Sequence, residues 1–180
     1  MQTTLNKLRE HRPCTDRWAE MLRNLGKTSA DDEPLLIRTI FQLNGFDDAI
    51  WALRAVENGE VEIREYAIWC VERISSLVTH PKALTMFNVA KEYLQGNYTY
   101  DDIEYFNYTL SDDERTDLYT NIPSCAMINT CVTDIRKTIE TVVKCSIDAE
   151  TGMVALENQS TERELARTAR IEEFQRILGI

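Results

Sequence analysis

Few side chains in this sequence have the types and spacing that chemistry requires, and their surroundings set most of those aside. Leu25-Gly26-Lys27-Thr28 ends like a phosphate-binding loop, but such a loop needs a glycine five residues before Gly26, where Met21 stands. It also needs a hydrophobic strand ahead of it, and the apolar spacing ahead of Gly26 is helical. Gly26 therefore reads as the stop of a helix. His11 and Cys14 lie three residues apart with nothing to complete a zinc set, and Cys125 and Cys131 stand six apart with no better claim. His80, beside Pro81, reads as a helix start. The 30 Asp and Glu residues offer many nominal acid–base pairs and hence no specific one. No catalytic, metal-binding or cofactor-binding residue is nominated, and a non-enzymatic role without a cofactor is the expectation.

A chemical pattern does emerge further along. Residues 98–119 hold five of the seven tyrosines among seven acidic residues. The chain has 20 Lys plus Arg against 30 Asp plus Glu, a net charge of −10. Residues 41–120 carry six basic against fifteen acidic side chains, so the excess sits in the middle of the chain. A negative field of that kind argues against direct nucleic-acid binding. It suits the basic surface of a protein or ribonucleoprotein that handles nucleic acid. The candidate partner-binding residues are Asp101, Asp102, Glu104, Asp112, Asp113 and Glu114 as charges, with Tyr98, Tyr100, Tyr105 and Tyr108 as anchors. A plainer account competes. Asp31-Asp32, Asp47-Asp48, Asp101-Asp102 and Asp112-Asp113 all sit where helices are expected to begin, and there a carboxylate contributes about 0.3–1 kcal/mol against the positive helix end. The tyrosines would equally suit a core with their hydroxyls at its rim.

Composition bounds the rest. Apolar residues make up 43% and charged residues 28%, which is globular, and only 6 glycines and 4 prolines disfavour a turn-rich β-sandwich or barrel. The first nine residues lack the apolar run of a signal peptide. The apolar stretch 63–78 is broken by Arg64, Glu65, Glu72 and Arg73, so no membrane span or membrane partner is expected. Five cysteines cannot all pair within one chain and are expected as reduced thiols in a cytoplasm, with Cys70 a small core residue.

Helices must position the patterned residues. Thr15 or Asp16 can cap a helix carrying Trp18, Met21, Leu22 and Leu25 at i, i+3, i+4 and i+7, with Gly26 as its stop. A second is expected from Pro34 to Asn44-Gly45, a third from Asp47 to Asn58-Gly59, a fourth carrying one apolar stripe from 61 to 78, and a fifth from Pro81 to Gly96. Thr99 and Ser111 should cap two short helices. Ser124 is expected to open a longer helix running through Ile135 to Val143, and Thr161 with Glu164 marks the last one by its capping-box spacing. A small β-hairpin is expected around 145–157. The fold class is mainly all-α, a compact multi-helix bundle or irregular helical stack, divided into a scaffold at 1–97 and a Tyr/acidic segment with C-terminal helices at 98–180.

Two sequence blocks carry a family likeness. They are Leu25-Gly26-Lys27-Thr28-Ser29-Ala30-Asp31-Asp32-Glu33-Pro34-Leu35 and Asn44-Gly45-Phe46-Asp47-Asp48-Ala49-Ile50-Trp51-Ala52-Leu53-Arg54-Ala55-Val56. With Glu62-Ile63-Arg64 and the end of the Ala90–Gly96 stretch, the chain over about 20–100 resembles a group of bacteriophage and prophage proteins. The resemblance implies phage origin and a helical scaffold, and brings no activity or site with it. Past residue 100 the chain departs from that pattern, so partner choice is expected there. The functional expectation is a phage-borne inhibitor, an anti-CRISPR in particular, acting in the cytoplasm of the bacterial host. Three alternatives stand beside it: an immunity-type protein that neutralises a toxin nuclease, a phage enzyme or accessory factor with an unrecognised site, and a homo-oligomeric structural module, such as a homodimer, built on the helix at 165–178.

Overall fold

The computed structural model describes residues 1–152 and 159–179. It is all-α apart from one pair of two-residue strands among those residues. Two compact units divide it, Met1–Gly59 with the last residues of the chain, and Glu60–Ile177. The composition shift after Gly96 thus falls inside the second unit. No helix among the described residues is long and apolar enough to cross a membrane.

In the first unit β1 (Gln2–Thr3) pairs antiparallel with β2 (Leu35–Leu36), Gln2 opposite Leu36. Around them lie α1 (Leu5–Glu10), α2 (Thr15–Asn24), α3 (Ile37–Asn44) and α4 (Phe46–Ala52), the last followed by a 3-10 turn at Leu53–Ala55. Leu5, Leu8, Met21, Ile37, Ile40, Ile50 and Leu53 fill the core. The Thr3 hydroxyl donates to the Ala55 carbonyl at 2.6 Å, and the buried Asp48 accepts from Arg17 at 2.5 Å. Gly26, at φ +67°, ends α2 as expected: its N–H reaches the Arg23 carbonyl at 3.1 Å and the Lys27 N–H reaches that of Leu22 at 2.8 Å. The Lys27 ammonium is occupied by Asp31 at 2.7 Å and Glu33 at 2.5 Å, so this segment is a helix stop and not a phosphate loop.

Asp31-Asp32 does not start a helix. Asp31 Oδ1 accepts from the Glu33 N–H at 3.2 Å, which closes a local turn, and the chain then runs extended through β2 before α3 begins at Ile37. Pro34 therefore precedes a strand. Of the four acidic pairs, the other three do stand in first helical turns.

The second unit holds α5 (Glu60–Glu72), a 3-10 turn at Ser75–Leu77, α6 (Pro81–Leu94), α7 (Tyr100–Tyr108), α8 (Asp112–Thr120), α9 (Ile122–Ile128), α10 (Ile135–Thr151) and α11 (Gln159–Leu178). Helix α5 is its centre, burying Ile63, Tyr66, Ala67, Cys70 and Val71 together with Arg64. Burial pushes the Cys70 thiol up to about 12, as befits a core residue. Several elements differ from the pattern in the sequence. The stripe from 61 to 78 is not one helix, because α5 ends at Glu72, whose carbonyl accepts from the Ser75 hydroxyl at 2.9 Å. The helix expected from Ser124 is two, with Asn121 capping α9 by accepting from the Ser124 N–H at 3.0 Å. The first arm of the hairpin expected at 145–157 is the end of α10, since Cys145 to Thr151 continue its helical turns. The rest of that hairpin, 153–157, lies outside the described residues. Helix α11 already runs at Gln159, so Thr161 is inside it and not its cap. Its inward residues within this unit are Ala166, Arg170 and Phe174, whereas Leu165 is exposed.

The break between α9 and α10 is buried at Asn129–Cys131 and half-buried beyond, and so its inner carbonyls need donors. They find them in side chains. Thr138 donates to the Asn129 carbonyl at 3.0 Å, Asn107 to that of Cys131, and Arg64 to those of Thr130 at 2.5 Å and Val132 at 2.9 Å. Arg64 is itself fully buried, balanced by Glu60 at 2.5 Å and by the Tyr93 ring 4.9 Å away. Replacing Arg64 by alanine leaves two buried carbonyls without donors and Glu60 without its cation. The expected cost is about 3–5 kcal/mol. Urea unfolding of R64A and R64K checks it: both should fall well below wild type, R64K because one ammonium cannot reproduce the guanidinium fork, and a loss under about 1 kcal/mol would show that the break finds other donors.

Candidate functional site

The patterned segment folds as α7 and α8, and both helices begin with reciprocal caps. Thr99 receives the Asp102 N–H while Asp102 accepts from the Thr99 N–H at 2.7 Å. Ser111 receives the Glu114 N–H at 3.3 Å while Glu114 accepts from the Ser111 N–H at 2.9 Å. Glu114 also holds the Lys82 ammonium at 2.6 Å. His80, the N-cap of α6 as its position suggested, accepts from the Lys82 N–H at 3.2 Å and turns its other ring nitrogen to Asp117 at 3.5 Å. Lys82, with Ser111, holds the Glu114 carboxyl down to about 2, and Thr99 lowers that of Asp102.

Asp102, Glu114 and Asp117 are thus engaged inside the unit. Asp101, Glu104, Asp112 and Asp113 are different: they are exposed, and among the described residues their carboxylates take part in no ion pair or hydrogen bond. The candidate charges divide into two that build helix ends and four that face water.

Every candidate tyrosine lies at the surface. Exposure rises from 36% at Tyr98 through Tyr100 and Tyr105 to 86% at Tyr108. On α7 the spacing is decisive. Asp101, Glu104, Tyr105 and Tyr108 stand at i, i+3, i+4 and i+7 and form one outward face, while Ile103 is fully buried on the other. Asn107, one turn beyond Ile103 on the inward side, donates to the Cys131 carbonyl, and Arg115 of α8 donates to the Asn107 carbonyl. These bonds fix α7 to the break between α9 and α10. Tyr98 and Tyr105 both meet Phe106 edge-on, with ring centres 6.2 and 5.9 Å away.

Beside this face is a cleft of about 220 Å³ lined by Lys82, Thr85, Met86, Phe106, Thr109 and Leu110. None of these six was nominated from the sequence. The available signal was weak: Phe106 is the one non-tyrosine ring in a tyrosine-rich stretch, and Met86 lies two turns before the end of α6. Among the described residues no three His, Cys, Asp or Glu side chains gather as a metal site. Cys125 has Cys145 as its neighbour, whose hydrogen bond draws the Cys125 thiol down to about 7, and burial pushes Cys131 up to about 12. Comparisons with protein-family models, curated proteins and solved structures found no match.

The depressed Glu114 carboxyl has a pH consequence. A carboxyl held below its usual value stabilises the fold above about 4.5, and that contribution fades as pH falls towards about 2. Glu114→Gln should therefore lower the thermal midpoint at neutral pH and flatten its decline across that acidic window. Thermal melts of both proteins from pH 7 to pH 2 check this, and parallel curves would show the ion pair and cap to be idle.

Proposed function

We propose that this chain acts by binding, and that α7 and the start of α8 engage a basic surface on a protein or ribonucleoprotein that handles nucleic acid. The carrying observation is the outward face of α7, where two unpaired carboxylates adjoin two exposed tyrosines in helical register. Tyrosine presents a large, rigid contact area at little entropic expense, and a carboxylate beside it recognises arginine both by charge and through the ring face. Asp112 and Asp113 extend the negative surface onto α8. The proposal extends to origin: on the sequence pattern of residues 20–100 we take the chain as phage-borne and its role as that of a host-directed inhibitor, an anti-CRISPR being the specific form. An immunity-type protein would use the same surface against a toxin nuclease. The partner alone separates the two.

The test uses the full chain, tagged, on bacterial lysate at low and then moderate salt. A single nucleic-acid-processing complex should be retained and then released as salt screens the charges. The triple variant Glu104→Lys, Tyr105→Ala, Tyr108→Ala leaves both caps and Ile103 intact, and it should retain at least tenfold less of that complex. Equal retention by the variant sinks the reading.

A further inference from the structure

We infer that the cleft between α6 and the end of α7 is an anchor pocket for one leucine- or methionine-sized side chain on a basic helical segment of the partner. This deepens the binding role proposed above and rests on it. Small-molecule sites usually occupy about 300–1,000 Å³, and this cleft, at about 220 Å³, falls below that range. A single side chain is the better-sized occupant. The half-buried Phe106 and the buried Met86 and Leu110 give it apolar walls, and Thr85 and Thr109, whose hydroxyls are turned back onto the Pro81 and Phe106 carbonyls, complete its lining. Such a wall rewards an unbranched or γ-branched apolar group and offers no fixed charge to a polar one, because Lys82 is already held by Glu114.

The surroundings define what carries the anchor. Asp101, Tyr105 and Thr109 stand at i, i+4 and i+8, so one row of α7 leads from an unpaired carboxylate, past an exposed ring, to the rim of the cleft. Eight residues of helix span about 12 Å. The backbone of α7 is satisfied within the helix and offers no sheet edge, so main-chain pairing cannot hold a segment along it and side chains at matched spacing must. A helix presents them and repeats the same rise. The complementary segment is therefore an amphipathic helix with an apolar anchor and arginines about four and eight positions away. Those arginines meet Tyr105 with Glu104, and Asp101.

The probe is a library of helical peptides with one face randomised, selected against the full chain and measured by fluorescence anisotropy. Recovered peptides should carry leucine or methionine with arginine four and eight positions away. Truncating the anchor to alanine should weaken binding about tenfold. Filling the cleft from either wall, by Thr109→Phe or Thr85→Phe, should do the same in whichever variant keeps the wild-type thermal midpoint. If Glu104→Lys weakens binding but anchor truncation and cleft filling change it less than twofold, the pocket is refuted and the charged face stands. If no basic peptide is enriched, or Glu104→Lys has no effect, both fall together.

Discussion

Four consecutive carbonyls, those of Asn129, Thr130, Cys131 and Val132, point into protein where α9 stops and α10 has not yet begun, and the second unit is arranged around supplying them with donors. Asn129, Thr130 and Cys131 are buried and Val132 is half-buried, and a carbonyl left unmet there is expensive. The donors come from three different helices: Thr138 of α10, Arg64 of α5 and Asn107 of α7. Meeting this one demand fixes the relation of α5 and α7 to the α9–α10 pair. It also explains a fully buried arginine in the middle of the central helix. Only a guanidinium reaches two carbonyls and a carboxylate at once in fixed geometry.

The Tyr/acidic segment serves two purposes with different residues. Asp102 and Glu114 close helix ends, and Glu114 ties α8 to α6 through Lys82. Asp101, Glu104, Asp112 and Asp113 make no cap or ion pair among the described residues; they define the surface charge, and Asp101, Asp112 and Asp113 also complement the positive ends of α7 and α8. The acidity of the sequence is therefore neither wholly helix-end electrostatics nor wholly an interface. Because the two sets are distinct, the surface can change its charge without loosening the caps.

Much of this was legible in the residue order. The caps at Thr99, Ser111 and His80, the glycine stops at Gly26 and Gly96, and the core role of Cys70 are local features, governed by a few neighbouring residues. What escaped was tertiary. The runs 61–78 and 124–143 have continuous helical periodicity, yet the first is interrupted where Ser75 turns its hydroxyl onto the Glu72 carbonyl, and the second where Arg64 and Asn107 from other helices take its carbonyls. Arg64 reads in isolation as an interruption of an apolar stretch. Its spacing from Ala67 and Val71, at i+3 and i+7, was the sign that it faces inward. Pro34 misled in the other direction: a residue favoured in a first helical turn here precedes a strand, because β1 is available to pair with Leu35–Leu36. The exposure of the tyrosines had no local signature at all, since a helix of nine residues with alternating rings and acids can turn either face inward.

Helix α7 is short, and Ile103 is its single fully buried side chain. A helix of that length is marginal in isolation. Its order thus rests on that one core side chain and on polar ties at its end, Asn107 to Cys131 and Arg115 to Asn107. Such an element can open while α5 stays closed, which places it at the low end of the local stability scale. Any molecule that lies along α7 must first wait for, and then hold, the closed form. Occupancy would therefore register as slowed amide exchange throughout α7, and the speed of capture would be set partly by how long the helix stays shut.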